Sequence, residues 1–396
     1  MRKVTIGLLG AVLSNSNLGC VALTLSLLKI LEEIATDNGL IFDYYVFEAR
    51  RNTEASKTTA ELIGVDRERI HSFQVSSLYS VSATVKHPTH AIDSYKAISK
   101  CSFFVDLTAG DSFTDIYGQN RFDGTTKLKE LVEKKGIPLI LGPQTYGPFN
   151  KEENRMRAKS VIEKAVAVFA RDQLSADYVK SFSDANVNVT TDLAFALPFN
   201  KREQFQHDKI NVGVNISSLL ISNKTETTKT EFEVKANYDF YIKLLLSELK
   251  NNDAYRVFIV PHVGEDGGFA FKEEFPGFIY LPPFKNPIAA KEFISGLDIF
   301  VGSRMHATIA AFSSGVATIP VAYSRKFLGL YGSLGYQKVI DLQAIDEQNA
   351  FEQTMRYVRD YEQIRAEQGK YLTVAESKQN EMKTVLSQII KEVISA

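Results

Sequence analysis

An arginine and a histidine, Arg304 and His306, stand two residues apart at the start of a predicted helix. The apolar residues 299–301 before them are typical of a strand buried in a parallel sheet, and Gly302-Ser303 is typical of a turn. The first turn of a helix presents unpaired backbone N–H groups and the positive end of the helix dipole. A guanidinium and an imidazole placed there therefore predict a site for a small anionic ligand.

Polar residues also follow several other apolar runs, at the points where predicted strands end. The ligand-binding or catalytic candidates in these loops are Asn17, Gly110, Asp111, Asp115, Gln144, Arg171 and His262. Ligands of open α/β sheets bind beyond the carboxyl ends of the strands, and two such sheets facing each other leave a cleft between them. We therefore expect these loops to meet at a ligand-binding cleft.

The strongest candidates also have purely structural interpretations, which the sequence leaves open. Arg304 is compatible with an ion pair to Asp298, and His306 with packing along its own helix face. Asp111 and Asp115 are compatible with helix capping, a common use of aspartate. The sequence alone does not decide between these interpretations.

Other candidate segments also have interpretations that involve no ligand. Arg171 fits an ordinary surface turn, and the loop that carries His262 and Glu265 fits a flexible connection. The polar segment 222–230 has no periodicity and predicts a mobile loop able to close over a ligand. Four lysines share one predicted helix with interleaved glutamates, which indicates a solvated face. These lysines are Lys127, Lys129, Lys134 and Lys135.

Length and charge limit the class of protein. A chain of 396 residues with 44% hydrophobic and 23% charged residues exceeds one comfortable core, so it predicts two globular domains. A formal net charge of -1 provides no field for the phosphates of nucleic acid, which is not an expected partner. No apolar run approaches the about 20 residues that a membrane-spanning helix needs, so any membrane contact is expected to be peripheral.

The cysteine and histidine spacing does not favour a metal site. Cys20 and Cys101 are far apart, which fits a reducing compartment and predicts a cytoplasmic protein. His87 and His90 lie three residues apart, but no carboxylate or cysteine completes a ligand set around them. We expect neither a metal nor a bound cofactor.

Strand-like runs alternate with helical segments along the chain. In the first half the predicted strands are 4–9, 42–47, 103–107, 138–141, 166–170 and 187–190. After a polar linker at 199–204 they are 210–215, 257–260, 299–301 and 318–323. This alternation predicts an α/β fold with two Rossmann-like domains, at 1–202 and 203–396. The helical tail from Ala350 to Ala396 is expected to pack back across their junction.

Several of these motifs occur together in a particular order. GPQTYGPF, ARDQLS, TTDLAF, GSRMHATIAA and the segment 323–326 follow one another along the chain. In this order they resemble the polysaccharide pyruvyl transferase family, and the resemblance covers roughly the whole chain. Two positions depart from the family pattern: Cys20 stands where an acidic residue is common, and Ala109-Gly110-Asp111 replaces a run of glycines.

The resemblance implies a glycosyltransferase-B-like pair of Rossmann-type domains, with the acceptor on the N-terminal side. It implies transfer of a pyruvyl group from phosphoenolpyruvate to two hydroxyls of a hexose as a cyclic ketal, releasing phosphate. Galactose or another hexose of a surface polysaccharide repeat or a polyprenyl-diphosphate-linked precursor would be the acceptor. A lipid-linked acceptor would bring the enzyme to the inner membrane face.

The resemblance also assigns residue roles. Arg171 and Arg304 match the donor-binding arginines, and a planar guanidinium suits the carboxylate and phosphate of the donor. His306 matches the neighbouring histidine, with proton transfer or phosphate stabilisation as its expected role. Lys326 matches a family lysine. Either Asp111 or Asp115 is expected to activate the sugar hydroxyl.

Two other functions stay open at this point. A nucleotide-sugar glycosyltransferase on the same architecture would also place phosphates near Arg304. A non-catalytic two-domain protein that closes on an anionic sugar would bind ligand without turnover. Because one architecture hosts several transfer reactions, only the site motifs separate these functions.

Overall fold

The computed structural model describes most of the chain, in two compact units. The described residues are 1–75, 78, 88–111, 113–203, 205, 208–221, 234–264 and 266–395. His87, Glu265 and the predicted loop 222–230 lie outside them. The first unit consists of Met1–Asn15, Leu23–Ala196 and Ser377–Ala396, and the second of Ser16–Ala22 and Leu197–Glu376.

The first unit is built on a parallel sheet. Its seven strands, within the described residues, are β1 (Arg2–Leu9), β2 (Leu40–Glu48), β3 (Ile70–Gln74), β4 (Phe103–Asp106), β5 (Leu139–Gln144), β6 (Ala167–Ala170) and β7 (Val187–Val189). The intervening helices are α1 (Leu18–Asp37), α2 (Thr53–Ile63), α3 (Pro88–Ile98), α4 (Gln119–Lys134), α5 (Glu152–Lys164) and α6 (Gln173–Lys180). The spatial order is β3-β2-β1-β4-β5-β6-β7, so the order reverses between β1 and β4.

The second unit repeats this plan. Its six described strands are β8 (Ile210–Asn215), β9 (Tyr255–Ile259), β10 (Ile279–Tyr280), β11 (Ile299–Gly302), β12 (Ala317–Ala322) and β13 (Ile340–Asp341). The helices are α7 (Tyr238–Lys250), α8 (Pro287–Ile294), α9 (Met305–Ser313), α10 (Arg325–Leu334), α11 (Glu347–Arg359) and α12 (Tyr361–Ser395). The strands are parallel in the order β10-β9-β8-β11-β12-β13, and the order reverses between β8 and β11.

The central strands are apolar because helices cover both faces of each sheet. All residues of β4, β5, β6, β11 and β12 are buried. In sheets of this kind a ligand crevice opens beyond the carboxyl ends of the strands, where the strand order reverses. That location is the end of β1 and β4 in the first unit and the end of β8 and β11 in the second.

The α/β architecture with two parallel sheets confirms the predicted pattern. The sequence analysis did not predict the strands β3, β10 and β13 or the helix α3. The domain bounds also differ from the predicted 1–202 and 203–396, since the last part of α12 belongs to the first unit.

Hydrogen bonds explain why the chain after residue 376 groups with the first unit. Arg2 donates to the carbonyl of Ile394 at 2.9 Å, and Asn38 donates to Ser387 at 3.1 Å. Both Arg2 and Asn38 lie far from these partners in sequence. The periodicity of α12 alone therefore could not predict the contacts.

A buried glutamine fixes the far end of α9, the helix that begins with the Arg304 and His306 motif. Gln368 of α12 is 2% exposed, and its amide donates to the carbonyls of Phe312 and Val316 at 3.1 and 2.9 Å. Its side-chain oxygen accepts from the backbone N–H of Thr318 at 3.0 Å. These bonds satisfy groups that a helix end and a strand start otherwise leave unpaired.

We expect Gln368→Leu to lower the free energy of unfolding by about 2 kcal/mol or more, because it strands buried backbone groups. Urea unfolding at neutral pH measures the change. Gln363→Leu on the exposed face of the same helix is the matched control, and its effect should stay within about 0.5 kcal/mol. Equal losses in the two variants would contradict the anchoring role.

Candidate functional site

A buried carboxylate holds Arg304 at the end of β11. The guanidinium Nε donates to Asp266 at 2.8 Å, and Nη2 donates to Ser218 at 3.2 Å. The backbone N–H of Arg304 donates to the side chain of Asn215, the last residue of β8, at 2.9 Å. The alternative pairing with Asp298 is therefore wrong, because the acid of that pair is Asp266.

Asp266 also shapes the loop after β9. Its second oxygen accepts from the backbone N–H groups of His262 and Val263, at 2.7 and 3.0 Å, and from Asn215 at 3.0 Å. The Asp266 side chain is 2% exposed, so these bonds compensate for the charge being taken out of water. One carboxylate thus ties together the ends of β8, β9 and β11.

The start of α1 lies against this loop in the second unit. Leu18 donates its backbone N–H to the carbonyl of His262 at 3.2 Å, and Asn17 forms an isolated antiparallel bridge with Val263. A methyl group added to Gly19 would overlap the imidazole Nδ1 of His306. The structure therefore brings four predicted residues together, namely Asn17, His262, Arg304 and His306.

In the first unit, a strained turn follows β4. Thr108, Ala109 and Gly110 have φ values of 41°, 50° and 85°, and the first two are not glycine. A left-handed conformation is unfavourable for residues with a Cβ, above all for a β-branched threonine. Side-chain bonds hold the turn, because Thr108 donates to Asp106 at 2.6 Å and accepts from Lys129 at 2.8 Å.

The Lys129 side chain is 1% exposed and forms an ion pair with Asp106 at 3.2 Å. The reading of the four lysines as a solvated face is thus wrong for this residue. Burial lowers the pKa of Lys129, and the charge of Asp106 opposes that effect. Gln144, at the end of β5, donates to the same carboxylate at 3.1 Å, which places this predicted residue in the network.

Arg171 follows β6 and is also buried. Its side chain is 1% exposed and donates to Asp192 at 3.1 Å, while Asp172 lies 3.9 Å from its Nε. Among the described residues, neither Nε nor Nη2 of Arg171 has a hydrogen-bond partner. A methyl group added to Gly110 would lie 3.4 Å from its Nη1, so Gly110 leaves room beside the guanidinium. Buried donors in this state require a partner such as water or a bound anion.

The two aspartates of the next loop differ in their surroundings. Asp115 accepts from the backbone N–H groups of Asn150 and Lys151 at 2.8 and 3.0 Å, just before α5. Burial raises the pKa of Asp115, but these hydrogen bonds outweigh it and the net pKa is lowered. Asp111 accepts from the hydroxyl of Tyr117 at 3.2 Å. The structure gives Asp115 the contacts of a loop anchor.

Lys326 lies in the first turn of α10, directly after β12. Three predicted residues have a buried aspartate as partner, namely Asp106, Asp192 and Asp266. The sequence analysis did not name Asp106 or Asp266, and it gave no role to Asp192, which lies in the TTDLAF motif. Each aspartate follows or ends a strand, as the predicted residues do, and that position was the available signal.

Within the described ranges, no group of three or more His, Cys, Asp or Glu side chains is arranged to hold a metal ion. The helices of the same ranges include none with an apolar stretch long enough to cross a bilayer.

A family model described as polysaccharide pyruvyl transferase matches residues 17–325, which is most of the chain. No curated protein matches the sequence significantly.

Solved structures share the fold at low identity. A Listeria monocytogenes protein proposed to be a UDP-N-acetylglucosamine 2-epimerase has 8% identity and a TM-score of 0.65, over 99% of this chain and 98% of that one. The UDP-GlcNAc 2-epimerase of Neisseria meningitidis bound to UDP-GlcNAc has 11% identity and a TM-score of 0.61, over 98% and 100%. The UDP-GlcNAc 2-epimerase of Methanocaldococcus jannaschii has 10% identity and a TM-score of 0.56, over 89% and 92%. These likenesses confirm the predicted glycosyltransferase-B-like fold class.

The surroundings of His262 predict that the stability of the protein depends on pH. Burial is the largest cause that lowers the pKa of His262, and the charges of the nearby His306 and Arg304 lower it further. Together they bring the pKa from 6.5 to about 3. Between these values the unfolded chain binds a proton that the folded chain does not, so stability falls as the pH drops below 6.5. The expected slope is about 1.4 kcal/mol per pH unit.

We expect His262→Gln to remove this part of the pH dependence. Urea unfolding of both proteins between pH 6.5 and 5 measures it, and the same substitution at His71 is the control. Unchanged slopes in the His262→Gln variant would contradict the assignment.

Proposed function

Because the chain belongs to the polysaccharide pyruvyl transferase family, we propose that it transfers a pyruvyl group from phosphoenolpyruvate to two hydroxyls of one hexose. The product is a cyclic ketal, and inorganic phosphate is released. We propose as acceptor a hexose of a surface polysaccharide repeat, or of a polyprenyl-diphosphate-linked precursor. The protein would then act in the cytoplasm or at the inner membrane face, with phosphoenolpyruvate as co-substrate and no cofactor.

The reaction needs an acid, a base and an anion clamp. Protonation of the methylene carbon of phosphoenolpyruvate makes a methyl group and leaves the neighbouring carbon electrophilic. One sugar hydroxyl adds to that carbon and loses its proton, the phosphate leaves with the C–O electron pair, and the second hydroxyl closes the ring. One hydroxyl proton balances the new methyl hydrogen, and the other leaves with the phosphate.

The observation that carries the proposal is the state of Arg171. It is a buried guanidinium whose Nε and Nη2 have no hydrogen-bond partner among the described residues. Phosphoenolpyruvate has two anionic groups close together, which planar guanidinium donors match better than an ammonium does. The carboxylate of Asp192 accepts from Nη1 and orients the guanidinium, and the carboxylate of Asp172 lies 3.9 Å from Nε. We propose that Nε and Nη2 donate to the ligand.

In the second unit, Arg304 and His306 have the proposed donor and proton-transfer roles. The bond from Nε to Asp266 orients the Arg304 guanidinium, as a clamp requires. His306 lies in the first turn of α9, where the helix dipole favours an anion such as the departing phosphate. We propose that His306 protonates the methylene carbon or stabilises that phosphate, and that Asn17 and His262 line its surroundings.

Of the two carboxylates, Asp111 suits the base that activates the sugar hydroxyl. Hydrogen bonds to the start of α5 lower the pKa of Asp115, and a lower pKa makes a weaker base. We therefore propose that Asp111 acts on the acceptor and that Asp115 positions its loop. We propose Lys326 as a further contact of the donor and Gln144 as a further contact of the acceptor.

The proposed function is tested with purified protein, phosphoenolpyruvate, and acceptors that end in galactose, glucose or mannosamine. Phosphate release together with an acceptor mass gain equal to a pyruvate ketal is the expected result. Arg171→Lys should lower kcat/KM by about 100-fold or more, since it loses planar donors but keeps the charge. Arg155→Lys, at an exposed position of α5, is the matched control. No mass gain on any acceptor, with stabilisation by nucleotide diphosphates alone, would favour a glycosyltransferase instead.

Gly19→Ala tests the role of His306 without a substitution at His306 itself. The new methyl group would displace the imidazole, so we expect kcat to fall by about tenfold to 100-fold with a smaller change in KM. Gly369→Ala is the matched helical control, because the structure describes no heavy atom within 4 Å of the added Cβ. If Gly19→Ala kept the wild-type kcat while folding normally, His306 would have no part in the chemistry.

A further inference from the structure

A cavity of about 690 Å³ opens at the carboxyl ends of β1, β2 and β4 in the first unit. It lies where the strand order of this sheet reverses, the usual position of a ligand in such folds. Its volume falls in the range of small-molecule sites. None of the ligand-binding or catalytic candidates from the sequence lines it, so the cavity has no assigned ligand.

Glu48, at the end of β2, is a fixed hydrogen-bond acceptor in its wall. One carboxylate oxygen accepts from Ser72 at 2.8 Å, and the other accepts from the backbone N–H of Leu13 at 3.1 Å. Each oxygen keeps a further lone pair for a ligand. Burial raises the pKa of Glu48, and the two hydrogen bonds partly oppose this. A carboxylate held in this way is well suited to accept from neighbouring hydroxyls of a sugar.

Cationic side chains give the cavity a positive excess. Among the residues that the structure describes, four cationic and two carboxylate side chains line it, and one pair of these, Lys129 and Asp106, is the buried ion pair beneath the turn. The remaining cations are Arg50, Arg51 and Arg121, all at exposed positions. Three arginines around one cavity favour a phosphate group, which a guanidinium binds through paired donors.

The strained turn separates this cavity from Arg171. Thr108 and Ala109 line the cavity, while Gly110 lies against the guanidinium of Arg171. One three-residue turn therefore has the cavity on one side and the proposed donor arginine on the other. This proximity is within the first unit and does not depend on the second.

We propose that the cavity binds the acceptor, and that the acceptor is a sugar joined to a phosphate or diphosphate. Glu48 accepts hydrogen bonds from the sugar hydroxyls, and Arg50, Arg51 and Arg121 bind the phosphate. The choice of the acceptor role rests on the proposed pyruvyl transfer, whereas binding of a sugar phosphate does not. A nucleotide sugar and a lipid-linked sugar share this chemistry.

Calorimetric titration of the full chain without phosphoenolpyruvate tests the cavity. The ligands are galactose, glucose and N-acetylmannosamine, each as the free sugar and as its 1-phosphate. We expect one of the phosphates to bind about tenfold or more tightly than its free sugar. The double variant Arg50→Gln, Arg51→Gln should remove this advantage, and Glu48→Gln should weaken the free sugar and its phosphate alike.

The matched control is Arg67→Gln with Arg155→Gln, two exposed arginines of the same unit that do not line the cavity. It should leave the preference for the phosphate intact. Equal affinity for charged and neutral sugars, no binding of any of these ligands, or an advantage that survives the loss of Arg50 and Arg51 would each overturn the proposal.

Two further ligands identify the source of the phosphate. The preferred hexose is titrated as its uridine diphosphate and as its diphosphate ester with a short prenyl chain. Tighter binding of the first indicates a nucleotide-linked acceptor, and tighter binding of the second indicates a lipid-linked one. Binding of a sugar phosphate without pyruvyl transfer would support the sugar-phosphate site and contradict the proposed function. Transfer to neutral sugars alone would support the proposed function and contradict the sugar-phosphate site.

Discussion

A carboxylate buried in a protein has to be paired and hydrogen-bonded, because the desolvation of an unpaired charge is expensive. In each unit one such carboxylate organises the edge of the sheet where the strand order reverses. Asp106 binds Lys129, Thr108 and Gln144 in the first unit. Asp266 binds Arg304 and the loop after β9 in the second. The positions of three predicted residues, Gln144, His262 and Arg304, follow from these two buried acids.

This dependence explains what the sequence could and could not predict. Alternating strands and helices predicted both sheets, since apolar runs report the burial of single elements. Arg304 and His306 could be named as candidates because a short strand, a turn and a helix start are contiguous in sequence. The partners of these residues were not found, because Asp266 and Lys129 reach their sites from other elements. Spacing along one helix placed Lys129 among solvated lysines, whereas in the fold it faces the buried Asp106.

The turn after β4 shows how the buried network meets a candidate site. Two residues with a Cβ hold left-handed conformations there, at a cost of about 1–3 kcal/mol each. The hydroxyl of Thr108 offsets part of that cost through its bonds to the buried ion pair. The result is a thin wall with a cavity on one side and the buried Arg171 on the other.

Two helices contribute residues to both units. Ser16–Ala22 belongs to the second unit although most of α1 lies in the first, and α12 changes unit after Glu376. No single cut in the polypeptide can therefore yield two complete units. A fragment that stops at residue 196 would lack Ser377–Ala396, which includes the Ile394 carbonyl that accepts from Arg2. It would also keep the seven residues Ser16–Ala22, which belong to the second unit. Gene fragments meant to express one unit alone would need grafted segments or a circularly permuted order.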